Sequence, residues 1–262
     1  MNAYLARNSI KYFLKSCHRR GHGIHSPFVY DLIRNVFIDK NKYSEFKTIE
    51  SRRKELLQDS KTIDVIDFGA GSVNFNSKQR KIQDIASSSL SPKKYAQLLF
   101  RLIRYSNSKN ILEVGSSLGI SGSYLALANI NARCITLEGA PSIANIAKQS
   151  FESCDAKNIE ILVGNFSETL PTALKELGNV DFAFVDGNHQ KQATIDYFEQ
   201  IVPFCNEHSI LIFDDIYWSK GMSEAWEIIK KDTRVSITID VCKFGIVFFR
   251  KGILKQDFVI RY

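Results

Sequence analysis

The amino-acid sequence predicts an α/β fold, a doubly wound and mainly parallel sheet that follows a basic helical region. From about residue 110 onward, short β-rich apolar runs alternate with amphipathic helical patterns, as they do in successive βαβ units. Only residues 242–245 separate the last two β runs, so these runs can pair as an antiparallel hairpin. Before residue 110 the pattern is helical. That part has 21 basic and 9 acidic residues, against 14 and 19 in the rest of the chain.

The segment before residue 110 shows helical periodicity and one short β run. Its predicted helices lie at 3–19, 27–38, 46–58, 78–87 and 92–105, and the β run lies at 62–68. Ser26 and Pro27 form a typical helix start, because serine caps the first turn and proline tolerates the first helical position. We assign residues 1–89 to a helical, basic accessory region and residues 90–262 to the α/β domain.

The α/β domain alternates strands with crossover helices. Its predicted parallel strands lie at 110–114, 134–138, 159–163, 180–185 and 209–213. The predicted helices lie at 121–129, 142–153, 168–177, 192–204 and 223–231. The hairpin strands come last, at 235–241 and 246–250. Residues that follow the parallel strands are the candidates for a site, because the carboxyl ends of such strands meet at one edge of a sheet.

Composition excludes several classes of protein. The chain has 262 residues, 44% hydrophobic and 24% charged, which is typical of a globular protein. No apolar run approaches the ~20 residues that span a bilayer, and the N-terminus lacks the apolar core of a signal peptide. Five cysteines without a Cys-x-x-Cys pair favour neither a disulfide framework nor a thiolate zinc site, so we expect a cytoplasmic protein. The net charge of +7 permits an anionic partner.

A stripe of cations lies along the first predicted helix. Its members, three or four residues apart, are Arg7, Lys11, Lys15 and Arg19. The stripe is either a solvated face or a surface that binds an acidic substrate, RNA or an anionic membrane. Cys17 and the histidines up to His25 lack paired thiolates, so a basic loop explains them without a metal ion.

The most informative segment is the run 111–121, ILEVGSSLGIS. A strand is followed by Gly115 and Gly119, and a helix begins near Ser121. The two glycines allow a sharp turn and a close approach of the backbone to a ligand. The amides at the helix start, with the hydroxyls of Ser116 and Ser121, then face the polar atoms of that ligand. The segment therefore predicts a binding loop.

The binding loop favours a nucleoside other than a nicotinamide dinucleotide. A dinucleotide fingerprint requires glycine at position 117, where this sequence has Ser117, so NAD is disfavoured. The next strand ends in Glu138, whose carboxylate can accept hydrogen bonds from both hydroxyls of a ribose; a surface glutamate at a strand end is the alternative. Residues 65–71, VIDFGAG, are also glycine-rich, but no strand with an acidic end follows at the needed distance. We interpret that run as a turn.

These residues resemble the class I S-adenosylmethionine-dependent methyltransferases. Glu113, Gly115 and Gly119 match the acidic-x-Gly-x-x-x-Gly motif of that family, and Glu138 matches its acidic end of the second strand. The resemblance covers about 90–262 and implies a Rossmann-like sheet of seven strands, the seventh inserted antiparallel. It implies S-adenosylmethionine as the cofactor. The cofactor-binding residues it implies are Glu113, Gly115, Ser116, Gly119, Ser121, Glu138, Asn165, Phe166 and Asp186.

Two further motifs are similar to the O-methyltransferase branch related to the catechol and caffeoyl-CoA enzymes. They are VDGNH at 185–189, after the fourth strand, and FDD at 213–215, after the fifth. In that branch carboxylates at these places bind a divalent cation, which implies Asp186, Asp214 and Asp215 as ligands of Mg²⁺ or another divalent cation. Such a cluster of like charges is costly unless a cation neutralises it, whereas a solvated loop with a helix cap is the alternative.

His189 and the pair Asn165 and Phe166 complete the implied site. His189 stands three residues after Asp186, where the catechol enzymes carry a lysine base, and imidazole suits proton abstraction near neutral pH. A histidine that only bonds its own loop is the alternative. Asn165 and Phe166 follow the third strand, where the family contacts adenine, and an ordinary turn with a core phenylalanine is the other interpretation.

The resemblance implies a cytoplasmic enzyme that methylates a hydroxyl of a small molecule with help from a divalent cation. The catalytic residues would be His189 and Asp186. One alternative is a nucleic-acid (RNA) methyltransferase that uses the basic N-terminal region, and another is a protein that binds S-adenosylmethionine without catalysis. The sequence leaves open whether the protein forms a homodimer. The aromatic side chains of Tyr217 and Trp218 indicate a flat or apolar acceptor.

Overall fold

The computed structural model describes residues 3–17, 20–65 and 78–262 of the chain. The chain falls into two compact units, which we call the first unit (Met1–Lys40 and Asn179–Tyr262) and the second unit (Asn41–Gly178). The predicted border at residue 90 lies inside the second unit, and a separate accessory region before it stays a prediction. Most of the glycine-rich run that begins at Val65, as well as His18 and Arg19, lies outside the described residues.

From residue 110 to residue 248, helices and strands follow one another in the predicted order. The helices are α1 (Ala3–Lys15), α2 (Pro27–Leu32), α3 (Glu45–Gln58), α4 (Ile82–Ser89), α5 (Lys93–Ser106), α6 (Ile120–Ala128), α7 (Pro141–Ser153), α8 (Phe166–Leu177), α9 (Lys191–Ile201) and α10 (Lys220–Lys231). The strands are β1 (Thr62–Val65), β2 (Lys78–Lys81), β3 (Asn110–Val114), β4 (Arg133–Glu138), β5 (Ile159–Val163), β6 (Val180–Val185), β7 (Cys205–Phe213), β8 (Ile237–Asp240), β9 (Gly245–Phe248) and β10 (Gln256–Val259). The helix predicted at 78–87 is wrong over its first four residues, which form β2.

The second unit contains three parallel strands and their crossover helices. β4 lies between β3 and β5 and pairs parallel with both. β3 and β4 are buried over nearly all their residues, which explains why their sequences are continuous apolar runs and not alternating ones. The register pairs Val114 with Leu137, so the carboxyl ends of β3 and β4 lie side by side. The loops that follow these strands are therefore neighbours.

The first unit contains five strands in the order β10-β8-β9-β7-β6. β6 and β7 are parallel, with Val185 opposite Phe213 at their carboxyl ends. β9 runs antiparallel to both β7 and β8, so the hairpin is confirmed. The doubly wound, Rossmann-like α/β fold is also confirmed, with eight strands over the two units among the described residues where seven were predicted.

The additional strand is β10, which pairs parallel with β8 at the edge of the first unit's sheet. Its sequence, QDFV, begins with two polar, exposed residues and ends with two half-buried ones, so no apolar run marks it. Short, polar strands are common at sheet edges because they discourage pairing with another chain. The hydrophobic pattern alone therefore could not reveal it.

The first helix of the chain is attached to the residues around β10. The Tyr12 hydroxyl donates to the carbonyl of Ile260 at 2.6 Å, and the amide of Cys17 donates to the carbonyl of Val259 at 2.8 Å. Arg261 returns a bond to the carbonyl of Phe13 at 2.9 Å. Part of the predicted accessory region thus completes the first unit. Among the described residues, no helix has both the length and the apolar character to span a membrane.

Candidate active site

The loop after β3, residues 115–119, turns sharply over the end of β4. The amides of Gly115 and Ser116 donate to the carbonyl of Leu137, at 3.0 and 2.9 Å. Gly115 and Gly119 have φ of 100° and 83°, which only glycine adopts without strain, and Ser117 also has a positive φ of 46°. We call these residues the glycine loop. Their hydrogen bonds fix the loop beside the carboxyl end of β4.

Gly119 has a packing role as well as a conformational one. A Cβ atom at this position would lie 2.9 Å from Cα and the carbonyl oxygen of Ala147, in α7. Any side chain would therefore separate the start of α6 from α7. Gly119 therefore permits a close approach between two helices, in addition to the predicted close approach to a ligand.

Glu138 lies directly against the glycine loop. Its Oε2 accepts a hydrogen bond from the amide of Ser117 at 2.9 Å, and its Oε1 accepts one from the amide of Ala140 at 3.0 Å. The side chain is only 9% exposed. Two main-chain amides thus hold the carboxylate at the end of β4, where the sequence predicted an acidic group. Binding of ribose by this carboxylate stays a prediction.

Glu113 lies beneath the loop and not on its surface. It is fully buried, and the Thr136 hydroxyl donates to its Oε2 at 2.6 Å. Burial raises the pKa of Glu113 to about 7, although the hydroxyls of Ser121 and Thr136 oppose that shift. Glu113 therefore supports the loop from the protein interior, and its direct contact with a cofactor stays a prediction.

Ser116 differs from the other polar groups of the loop. Its side chain is 1% exposed, and its Oγ has no hydrogen-bond partner among the described residues. A buried hydroxyl without a partner costs free energy, so such a group marks a place where a bound molecule or water completes the structure. Ser116 Oγ is therefore the atom of the loop that most directly indicates a ligand.

Asn165 and Phe166 lie at the start of α8, after β5. Asn165 Oδ1 accepts from the amide of Ser167 at 3.0 Å, which makes Asn165 the N-cap of the helix. The amide of Gly164 donates to the carbonyl of Glu138 at 3.0 Å, so this turn adjoins the end of β4. A local structural role is thus established for Asn165, while the predicted contacts of both residues with adenine stay predictions.

In the first unit, the structure brings the three predicted aspartates together. Asp186 follows β6, Asp214 and Asp215 follow β7, and the amide of Asp214 donates to the carbonyl of Val185 at 2.9 Å. We call these three side chains the acidic cluster. The side chains of Asp214 and Asp186 are only 3% and 14% exposed. Burial raises the pKa of both carboxyls, and the charge of Asp214 raises that of Asp186 further.

Sequence reasoning missed a lysine in the acidic cluster. Lys243 Nζ lies 2.9 Å from Asp214 Oδ2 and 2.7 Å from Asp215 Oδ1. The attraction of these two carboxylates raises the pKa of Lys243 despite its burial, so the ammonium stays charged. The signal that could have found it is the register of the hairpin. β9 pairs Gly245 with Phe213 at the end of the ladder, and continuing this register by two residues brings Lys243 opposite Asp215.

A divalent cation does not fit the acidic cluster as it is built. The Lys243 ammonium already bonds to carboxylate oxygens of Asp214 and Asp215 that the implied metal site would use. Within the described ranges, no group of three His, Cys, Asp or Glu side chains is arranged to hold a metal ion. No chemical step at the acidic cluster is therefore assigned to Mg²⁺.

His189 lies at the rim of the acidic cluster. Its Nε2 is 3.6 Å from Asp186 Oδ1, and its side chain is 34% exposed. This distance is too long for a direct hydrogen bond but short enough for an ion pair when the imidazole is protonated. The preceding residue, Asn188, has a φ of 60°, which turns the loop after β6. The structure thus places an accessible imidazole beside a buried carboxyl group.

Tyr217 and Trp218 follow the acidic cluster and have different surroundings. The Tyr217 hydroxyl bonds to Asp240 Oδ2, which ties this loop to the end of β8. Burial and the charge of Asp240 raise the pKa of Tyr217. Trp218, in contrast, is exposed. Of the two predicted acceptor-side aromatics, only Trp218 is largely open to solvent.

Known proteins resemble this chain over the regions just described. Residues 112–216 match the model of a methyltransferase domain. Over 166 residues, the chain is 28% identical to the O-methyltransferase imqG from Aspergillus flavus, and the match covers 61% of this chain and 64% of that protein. The structure of the O-methyltransferase from Bacillus cereus in complex with SAH is 20% identical, with a TM-score of 0.58 over 82% of this chain and 94% of that chain. The O-methyltransferase TomG from Streptomyces achromogenes, in complex with SAM, is 19% identical, with a TM-score of 0.58 over 85% and 95%.

These matches agree with the class of protein that the sequence motifs resemble. Residues 112–216 are similar to a methyltransferase domain, so the predicted resemblance is confirmed at that level. The two solved structures, at 20% and 19% identity, support the fold. The matched domain contains the glycine loop, Glu138 and the acidic cluster.

Proposed function

We propose that this protein is an S-adenosylmethionine-dependent methyltransferase that acts on a hydroxyl group of a small molecule. The observation that carries the proposal is the glycine loop, in which the buried Ser116 Oγ lacks a partner beside the fixed carboxylate of Glu138. The structural neighbours from Bacillus cereus and Streptomyces achromogenes are O-methyltransferases in complex with SAH and SAM, which supports the same ligand class here. When bound, the cofactor supplies a methyl group on a positively charged sulfur.

The second unit would hold the cofactor. Two amides hold the carboxylate of Glu138, and a carboxylate is a hydrogen-bond acceptor for hydroxyl groups such as those of a ribose. Ser116 Oγ would bond a polar atom of the ligand, and the glycines of the loop let the backbone come close. Glu113, buried beneath the glycine loop, would hold that loop in position. Phe166, at the start of α8, is the candidate for contact with adenine.

The first unit would prepare the acceptor. The imidazole of His189 would accept the proton of the acceptor hydroxyl, and the nearby carboxylate of Asp186 would stabilise the resulting imidazolium. The acceptor oxygen would then form a bond to the methyl carbon while the bond from that carbon to sulfur breaks, and His189 would pass its proton to solvent. No covalent intermediate with the protein is needed.

Titration calorimetry with S-adenosylmethionine tests the cofactor half of this proposal. We expect micromolar binding by the wild-type protein and binding weakened about tenfold or more in Glu138→Ala. The ribose loses a hydrogen-bond acceptor in this variant, and a tenfold loss corresponds to about 1.4 kcal/mol of binding free energy. Glu160→Gln is the matched control, since it removes an exposed carboxylate from β5 outside the loop. Absence of binding by the wild type would overturn the proposal.

Transfer of the methyl group is tested separately with radiolabelled S-adenosylmethionine and a panel of hydroxylated small molecules, with total RNA as a further substrate. We expect label on a small-molecule hydroxyl, and its loss in His189→Gln while cofactor binding persists. Label on RNA would instead favour the nucleic-acid alternative. Tight binding without transfer to either substrate class would favour a binding protein without catalysis.

A further inference from the structure

The acidic cluster needs a positive charge. Three carboxyl groups converge after β6 and β7; Asp214 is buried, and Asp186 is largely shielded, with 14% of its side chain exposed. Carboxylates this close repel one another, and burial removes the water that would screen them. A cation must therefore lie among them for more than one to be ionised.

Lys243 supplies this charge, and the strands and turn on either side of it fix its position. The antiparallel ladder between β7 and β9 ends where Phe213 pairs with Gly245. Just beyond this pair, the amide of Ile216 donates to the carbonyl of Lys243 at 3.4 Å. The turn that carries Lys243 is fixed as well, because the amide of Cys242 donates to Asp240 Oδ1 at 2.7 Å. The ammonium is thus held against Asp214 and Asp215 by backbone register.

The Lys243 ammonium leaves little room for a metal ion and retains a donor for a ligand. Mg²⁺ requires six oxygen ligands at about 2.1 Å, whereas Nζ occupies two of the available oxygens at 2.9 and 2.7 Å. A lysine ammonium has three N–H donors, and the described residues use two of them. The side chain is 20% exposed, so a ligand can reach the remaining donor.

We propose that Lys243 takes the place of a divalent cation in the acidic cluster and that its third N–H binds the oxygen of the methyl acceptor. The second part rests on the proposed function, because it requires an acceptor with a hydroxyl group. In this arrangement Lys243 neutralises Asp214 and Asp215 and stabilises negative charge on the acceptor oxygen. Methyl transfer then proceeds without a metal ion.

Binding of Mn²⁺, followed by electron paramagnetic resonance, tests the first part without any turnover. We expect no binding by the wild-type protein at submillimolar Mn²⁺. Lys243→Met removes the ammonium and leaves the carboxylates, so this variant should bind Mn²⁺ at least about tenfold more tightly and melt at a higher temperature when Mn²⁺ is present. Lys191→Met is the matched control. It removes a lysine that pairs with Glu224 outside the cluster, so it should behave as the wild type does.

The wild-type measurement alone can overturn the proposal, so the test does not depend on the folding of the variant. Tight binding of one Mn²⁺ by the wild type would show that the lysine yields to a metal ion. Lys243→Gln serves as a second variant, since it is uncharged but can still donate hydrogen bonds to the carboxylates. If neither this variant nor Lys243→Met binds Mn²⁺, the proposal that Lys243 takes the place of a divalent cation is refuted.

The second part is tested by turnover in the presence of EDTA. We expect undiminished transfer by the wild type, and a kcat in Lys243→Gln lowered by about tenfold or more with cofactor affinity unchanged. Loss of transfer with EDTA and recovery with Mg²⁺ would refute the proposal while leaving the proposed function intact. Absence of transfer under all conditions would refute the function and this second part, whereas the Mn²⁺ result stands by itself.

Discussion

The second unit and the first unit each hold a buried carboxylate after a parallel strand, but they do so by different means. Glu138 in the second unit is held by the amides of Ser117 and Ala140. Asp214 in the first unit is bonded to the ammonium of Lys243, which lies 29 residues away in the chain. Main-chain amides remain whatever the side chains are, whereas a single substitution removes an ammonium. Substitution of neighbouring side chains therefore leaves the hydrogen bonds to Glu138 in place, whereas substitution of Lys243 removes the bond to Asp214.

The largest effect should come from breaking the second arrangement. Lys243→Met leaves Asp214 and Asp215 without their cation in a buried site, so we expect a loss of about 3–5 kcal/mol in the free energy of unfolding. Urea unfolding without metal ions measures this loss. Lys191→Met removes only an exposed pair with Glu224 and should cost far less. Equal costs for the two variants would contradict the comparison.

The carboxyl group of Glu113 shows how burial acts when neither a cation nor an amide compensates for it. Its pKa rises from 4.5 to about 7, so ionisation is harder in the folded than in the unfolded chain. The stabilisation from the neutral carboxyl is complete below pH 4.5 and decreases until the pH passes 7.

Glu113→Gln should remove this pH dependence and raise the free energy of unfolding at pH 8 by up to about 3 kcal/mol relative to the wild type. Urea unfolding at several pH values between 5 and 8 measures it. The difference between the two proteins should shrink toward pH 5. A difference that is constant across this range would argue against a neutral, buried Glu113.

The glycine loop can be disturbed through its packing. Gly119→Ala strains the backbone and forces a Cβ against Ala147, whereas Gly178→Ala has a similar positive φ, 73°, with nothing within 4 Å. Both should lose about 1 kcal/mol from backbone strain, and Gly119→Ala should lose a further 1–3 kcal/mol or so from overpacking. Thermal or urea unfolding gives the difference, and equal losses would refute the packing role.

Asn165 gives the smallest and sharpest test. Asn165→Ala should cost about 1 kcal/mol because α8 loses its N-cap, whereas Asn165→Asp keeps the cap and should be nearly neutral. Affinity for S-adenosylmethionine then separates the two roles. If the amide group of Asn165 also contacts adenine, Asn165→Asp binds the cofactor more weakly; if it only caps the helix, affinity is unchanged.

Much of the fold could be predicted because its signals are local. The strands around Ile111 and Ile135 are buried on both faces and read as continuous apolar runs, so their positions match to within one or two residues. The glycine loop is equally local, since Gly115 and Gly119 carry the turn within the motif itself.

The remaining features depend on contacts between distant parts of the chain. Lys243 meets Asp215 only through the register of β7 and β9, which no run of residues around either one reveals. β10 is polar because it lies at a sheet edge, so no apolar run marks it. Strand β2, at 78–81, differs from the predicted helix because its charged residues carry no period-2 apolar signal.

The attachment of α1 to residues near β10 has a consequence for synthesis on the ribosome. The second unit is one continuous segment, Asn41–Gly178, and all of it is synthesised before residues 179–262 of the first unit. Tyr12, in contrast, bonds to a carbonyl 248 positions later in the chain. At translation rates of roughly 5–20 residues per second, this interval lasts roughly 10–50 seconds. Helix α1 therefore cannot form this contact until that interval has passed.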